Sequence, residues 1–223
     1  ECPDFRGKKV SAQVKHVRDC YEKEIGNPYR KAHKLNHKVC YPKPIERSNV
    51  DLSVRFYHES TVAALRPFPE EDWDETAEFI AIVHDYFNTI NVKTKDFWFE
   101  KRDETRKPVF RSDKSRLVFL TDLLKWAEQW SAMKMTKKLS KETFHSFIFT
   151  LRGLIALCEH LFEVSELTFI LLRKINLDPI EQRFGTYRQL SGANFFVSLK
   201  QFLQSEKKTS AEECSTLRQT FSS

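Results

Sequence analysis

Apolar positions along this chain recur mostly at helical spacing. Phe144, Phe147, Ile148, Leu151, Leu154, Ile155, Cys158, Leu161 and Phe162 form the i, i+3, i+4, i+7 stripe of an amphipathic helix. Ser140 stands where its N-cap would be. Leu117, Leu120, Leu123, Leu124, Ala127 and Trp130 predict a second helix, with Asp113 as its candidate cap, and the basic turn around Lys134 to Lys141 makes the two antiparallel. A third stripe, Ala77, Ile80, Ala81, Val83, His84 and Phe87, follows Asp72 and Glu75, which are spaced as a capping box. Nearer the start, helices are expected around Val10 to Glu24 and Tyr29 to Cys40, and Pro42 and Pro44 then break the pattern. From Asn91 to Arg116 no period is sustained, so the basic, aromatic run KTKDFWFEKRDETRKPVFRSDKSR is expected as a loop. The chain turns polar from Ser205, where a frayed end is expected.

At 223 residues, 40% of them hydrophobic, the chain is long enough to bury a real core in one or two domains. No apolar run approaches the roughly 20 residues that span a bilayer, and no basic-then-apolar leader is present. Beginning at Glu1 rather than at a Met, the chain reads as an internal piece of something longer. Cys2, Cys20, Cys40, Cys158 and Cys214 are odd in number and widely spaced, which fits a reducing compartment. His33, His37 and Cys40 spell HxxxHxxC, which on a helix would put three zinc-type ligands near one face. A fourth ligand is missing and the surroundings are basic, so a solvated helical face is the simpler account.

Charge adds a partner class. The net charge is +6, and residues 1 to 47 carry all of it, with twelve Lys and Arg against six Asp and Glu. Such an excess suits an anionic partner, either a nucleic-acid backbone or a nucleotide phosphate, although Lys and Arg also serve simply to solvate a surface. No GxxxxGK[ST] occurs, so a nucleotide would not be cradled by a P-loop.

The sharpest local signal is Leu177-Asp178-Pro179-Ile180-Glu181-Gln182-Arg183-Phe184-Gly185-Thr186-Tyr187-Arg188. Read locally, Asp178 is an N-cap, Pro179 the first helical residue and Glu181 the other half of a capping box. Ile180, Phe184 and Tyr187 would then face a core, with Arg183 and Arg188 outside.

The same segment resembles the D-P-x-E-x-x-F-G-x-x-R signature of P-element-type transposases. Further blocks are similar to that family in its own order: Ala32-His33-Lys34-Leu35; Tyr57 through Leu65; and Thr76-Ala77-Glu78-Phe79-Ile80 with His84-Asp85-Tyr86-Phe87-Asn88. The resemblance implies a mainly α chain. Residues 1–110 would be a helical GTP-binding insertion domain, and 111–206 the helical end of that insertion and of an RNase H-like core whose sheet lies outside this chain. Residues 207–223 would be a disordered polar tail. It also implies Glu181 as the third of three carboxylates that hold two Mg²⁺ ions for DNA cleavage and joining. The other two would precede the insertion, so this piece alone is expected to be inactive.

For GTP, the resemblance points to Asp85 and Asn88, which share a helix face, as guanine contacts, with Lys34 as a weaker phosphate contact. Asp178 would sit between the nucleotide and metal sites. Asp85 and Asn88 also read as the wet side of an amphipathic helix. The implied partners are transposon-end DNA, GTP and further copies in a homo-oligomer, in the nucleus and away from membranes. Ser191-Gly192-Ala193-Asn194 departs from the family turn by one Gly and a Pro. That leaves open an active transposase, a domesticated or decayed copy serving as a nucleotide- or DNA-associated module, and a helical scaffold whose acids are only caps.

Overall fold

Each of the two longest stripes becomes a helix in the computed structural model, which describes residues 2–68, 73–134, 139–194 and 196–220. Helix α8 (Lys141–Val164) starts at Ser140, whose hydroxyl accepts from the Thr143 amide at 3.2 Å. Helix α7 (Ser115–Ala132) starts where the Asp113 carboxylate accepts from the Ser115 amide at 2.9 Å. Trp130 meets Phe144 edge-to-face at 5.2 Å beside the turn, and farther along Glu128 pairs with Arg152 at 2.6 Å, so the hairpin is antiparallel. Residues 135–138 of the turn lie outside those described. Because Ser140 satisfies an otherwise orphaned donor, Ser140→Ala is expected to lower stability by about 1 kcal/mol in urea denaturation, with no change in the slope.

Helix α5 (Asp74–Ile90) realises the third stripe. Asp72 lies outside the described residues, and the N-cap position falls on Trp73, which makes no side-chain cap bond. The helix is a wall between two cores. Ala77 and Ile80 join Val17, Cys20, Leu35, Val39, Leu65 and Trp73 on one side. Ile82 joins Phe5, Val109, Leu120, Leu123, Trp126, Phe144 and Leu151 on the other.

The first core is closed by α1 (Val14–Glu24), α2 (His37–Cys40), α3 (Val50–Phe56) and α4 (Glu59–Leu65). A helix expected over Tyr29 to Cys40 survives only as α2. The buried Glu24 carboxylate takes the Lys31 and Ala32 amides at 3.2 and 2.9 Å, which ties the chain ahead of α2 to the end of α1. In the second core, Arg6 and Gly7 both adopt positive φ, +52° and +78°. The tight turn they form swings Phe5 onto Phe119 and Trp126.

The expected loop from Asn91 to Arg116 is ordered. It contains α6 (Phe97–Lys101), a 3-10 turn at Glu104–Arg106 and strand β1 (Val109–Phe110). β1 pairs antiparallel with β2 (Phe169–Ile170), Val109 opposite Ile170. The chain is mainly α, with this one ribbon among the described residues. Two-residue strands are too short to show alternation in a sequence. No described helix is long and apolar enough to cross a membrane.

The chain divides into two compact units after Leu172, whereas the boundary expected after residue 110 falls at the end of β1, inside the first unit. The second unit holds α9 (Asp178–Leu190) and α10 (Leu199–Thr220). The polar stretch from residue 207, expected as a disordered tail, is helical as far as Thr220. Tyr187 is buried on Phe202 at 5.0 Å and donates its hydroxyl to Glu206, and Arg183 pairs with Glu206 at 2.6 Å, so polar links extend α10 beyond its apolar stripe. Ile180 and Phe184, expected in a core, are half exposed: two helices alone cannot cover them.

Candidate functional site

Helices α3 and α5, the start of α4 and the 3-10 turn enclose a cavity of about 260 Å³. Val54, Tyr57, Val83 and Phe87 wall it, and His58, His84, Asn88 and Arg106 supply its polar atoms. Asn88 is buried. Its amide donates to Thr105 Oγ1 at 2.8 Å and to His84 Nε2 at 3.0 Å, which pins the 3-10 turn to α5. Among the described residues nothing donates to its Oδ1, so that carbonyl remains available as an acceptor at the cavity.

Asp85, one turn earlier on the same helix, does something else. Its carboxylate meets Arg116 Nη1 at 2.5 Å, and the guanidinium lies over the Phe119 ring at 5.3 Å. Burial pushes the Asp85 carboxyl up, against the pull of Arg116. The D-x-x-N pair is therefore split: Asn88 lines the cavity, and Asp85 is committed to an ion pair. Lys34 is exposed and lies close enough to bear electrostatically on His58 without lining the cavity. Sequence reasoning passed over His58 and Arg106. The signal for His58 was its place directly before Glu59-Ser60, where a helix start needs a side-chain acceptor.

In the second unit, Glu181 is exposed on α9 and borders an open groove of about 600 Å³ with Phe184, Tyr187, Arg188 and Phe202. α9 begins at Asp178, with Leu177 in the N-cap position, so Asp178 falls at the first helical residue rather than at the cap position expected for it. The Asp178 side chain itself lies outside the described residues. No group of three or more His, Cys, Asp or Glu is placed to hold a metal ion among the described residues. Glu181 is thus a single carboxylate, one ligand where a two-metal centre needs several. His33, His37 and Cys40 diverge likewise. The His33 ring faces His58 at 5.8 Å, His37 lies beside Tyr41 at 5.1 Å, and Cys40 is buried, its thiol pushed up to about 11 by desolvation.

Part of the basic excess before residue 48 is spent internally. Arg6 pairs with Asp122 at 2.9 Å, Lys8 with Glu78 at 3.0 Å and Lys38 with Glu46 at 3.1 Å. Lys9, Lys15 and Lys31 are exposed and unpaired among the described residues.

These features define a mainly helical protein: two cores sharing a central helix, a polar-ended cavity in the first unit and Glu181 beside an open groove in the second. Its fold matches part of the chain in the Drosophila P element transposase strand transfer complex, with a TM-score of 0.68 and 20% identity. The match covers 90% of this chain and 45% of that one, so this chain spans less than half the length of its structural counterpart. No protein-family model and no curated protein matches the sequence.

Proposed function

We propose that this chain is a portion of a P-element-type transposase that binds a guanine nucleotide and takes part in metal-dependent cleavage and joining of transposon-end DNA. The observation that carries this reading is the fold shared over 90% of the chain with a transposase from a strand transfer complex, with the sequence blocks in the family's order. Glu181 is the residue assigned to the chemical centre, where it would be one ligand of Mg²⁺ beside carboxylates from elsewhere. The described residues do not by themselves make a two-metal site, so the chain alone is assigned no catalytic step. Lys9, Lys15 and Lys31 suit the DNA backbone, because exposed cations without partners can release the counterions of phosphates.

The cavity beside Asn88 is the seat assigned to guanine. Its roughly 260 Å³ lies just under the range of about 300–1,000 Å³ usual for small-molecule sites, enough for a base but not for a whole nucleotide. The base would lie against Tyr57 and Phe87 and donate to Asn88 Oδ1; ribose and phosphates would remain outside. Calorimetry with GTP and with ATP, with and without Mg²⁺, tests this. GTP is expected to bind selectively, and Val54→Phe, which fills the cavity without touching its polar atoms, is expected to abolish binding in a protein that still melts cooperatively. At a GTP concentration of 100 Kd, the stability gain is expected to be about 2.7 kcal/mol. Equal binding of GTP and ATP, or none of either, would overturn the nucleotide reading.

A further inference from the structure

The N-cap of α4 is a histidine. Ser, Thr, Asp and Asn dominate this position because their oxygens accept from the first free amides of the helix. His58 does the same with Nδ1, which accepts from the Ser60 amide at 3.1 Å and lies 3.0 Å from the Ser60 hydroxyl. An imidazole nitrogen can accept only while it carries no proton, so the ring proton sits on Nε2 and the ring is neutral.

The surroundings oppose a second proton from almost every side. His84 on α5 faces the ring at 5.7 Å, and its Nε2 already accepts from Asn88. His33, ahead of α2, lies at 5.8 Å, and Lys34 adds a cation beside it. Arg106 lines the same cavity, to which α3 contributes only Val50, Ser53 and Val54. Glu59, on α4 itself, is the acid that favours the charged ring.

We propose that His58 is a proton-operated latch on the cavity: neutral, it caps α4 and fixes the wall beside Tyr57; protonated, it presents a donor to the Ser60 amide, loses the cap and frees the start of the helix. Desolvation, with the neighbouring His84, Lys34 and His33, holds the folded imidazole below its ordinary 6.5. The folded state therefore takes up this proton less readily than the unfolded chain. The contribution to stability is complete above 6.5 and is lost as pH falls through the depressed folded value. The latch stands whether or not the cavity takes a nucleotide.

The test pairs two measurements on the whole chain. Nitrogen-15 NMR of the imidazoles is expected to show His58 as the Nε2–H tautomer at neutral pH, titrating below 6.5. Thermal melts at about pH 7.5 and about pH 5.5 are expected to show wild type losing roughly 2–4 °C more than His58→Ser, whose hydroxyl caps without titrating. Parallel losses in the two proteins would overturn the latch. So would an Nδ1–H tautomer or a titration above 6.5 in the wild type, a reading that does not require the variant to fold.

Discussion

Asp85→Ala is expected to lower the free energy of unfolding by about 3 kcal/mol in urea denaturation near neutral pH, because it strands a guanidinium rather than removing a surface acid. Arg116 has only 13% of its side chain exposed. Its Nε is buried without an acceptor among the described residues, and its Nη1 depends on Asp85 at 2.5 Å and Thr89 at 3.4 Å. Without the carboxylate, a nearly buried cation has no counter-ion. Removing both partners, as in Asp85→Ala with Arg116→Met, is expected to recover most of the loss, since an apolar replacement of a buried pair is often neutral.

The pH dependence has a definite sign. Burial raises the folded Asp85 carboxyl above its unfolded value of 3.8, so stability falls as pH rises between those two values, and the ion pair with Arg116 is present only above that window. A flat double-variant result, with the second substitution restoring nothing, would mean that the pair is not the structural unit described. The practical point concerns nucleotide assays: a binding defect in Asp85→Ala reports lost folding as readily as lost recognition. Val54→Phe avoids that ambiguity.

Phe144→Ala is expected to cost about 3–5 kcal/mol, the range for deleting a buried aromatic ring. Phe144 is 2% exposed at the first turn of α8, where it meets the Trp130 edge. It closes the hairpin at the end beside the joining turn. The neighbouring Phe149, 72% exposed on the outer face of the same helix, is the control: Phe149→Ala should change stability by less than about 0.5 kcal/mol. Comparable losses at both positions would contradict the assigned facing of α8.

Helices with a long apolar stripe were legible from the sequence, because α5, α7 and α8 obey a period that burial imposes. The cap at Ser140 was readable too, because its side-chain bond is local, whereas α7 has Lys114 at the N-cap position one residue after the expected Asp113, whose carboxylate still takes the Ser115 amide. What the sequence hid depends on partners far along the chain. The order of the Asn91–Arg116 segment rests on Asn88 reaching Thr105 and on β1 finding β2 some sixty residues later. Where the Tyr29–Cys40 helix was expected, the Lys31 and Ala32 amides instead reach back to Glu24. At the candidate site, spacing placed Asp85 and Asn88 on one helix but could not say that Arg116 would claim the first and the cavity the second. The part of His58 was missed because its position before Glu59-Ser60 marks a helix start, where Ser, Thr, Asp or Asn is the usual acceptor and a histidine is not.

Helix α5 supplies Ala77 and Ile80 to one core and Ile82 to the other, so each core borrows the same strip of backbone. Neither can melt while the other stays whole, for the collapse of one removes a side of its neighbour's container. The residues up to Leu172 are therefore expected to unfold in a single transition, with fluorescence of the Trp126 cluster and far-UV circular dichroism giving the same midpoint.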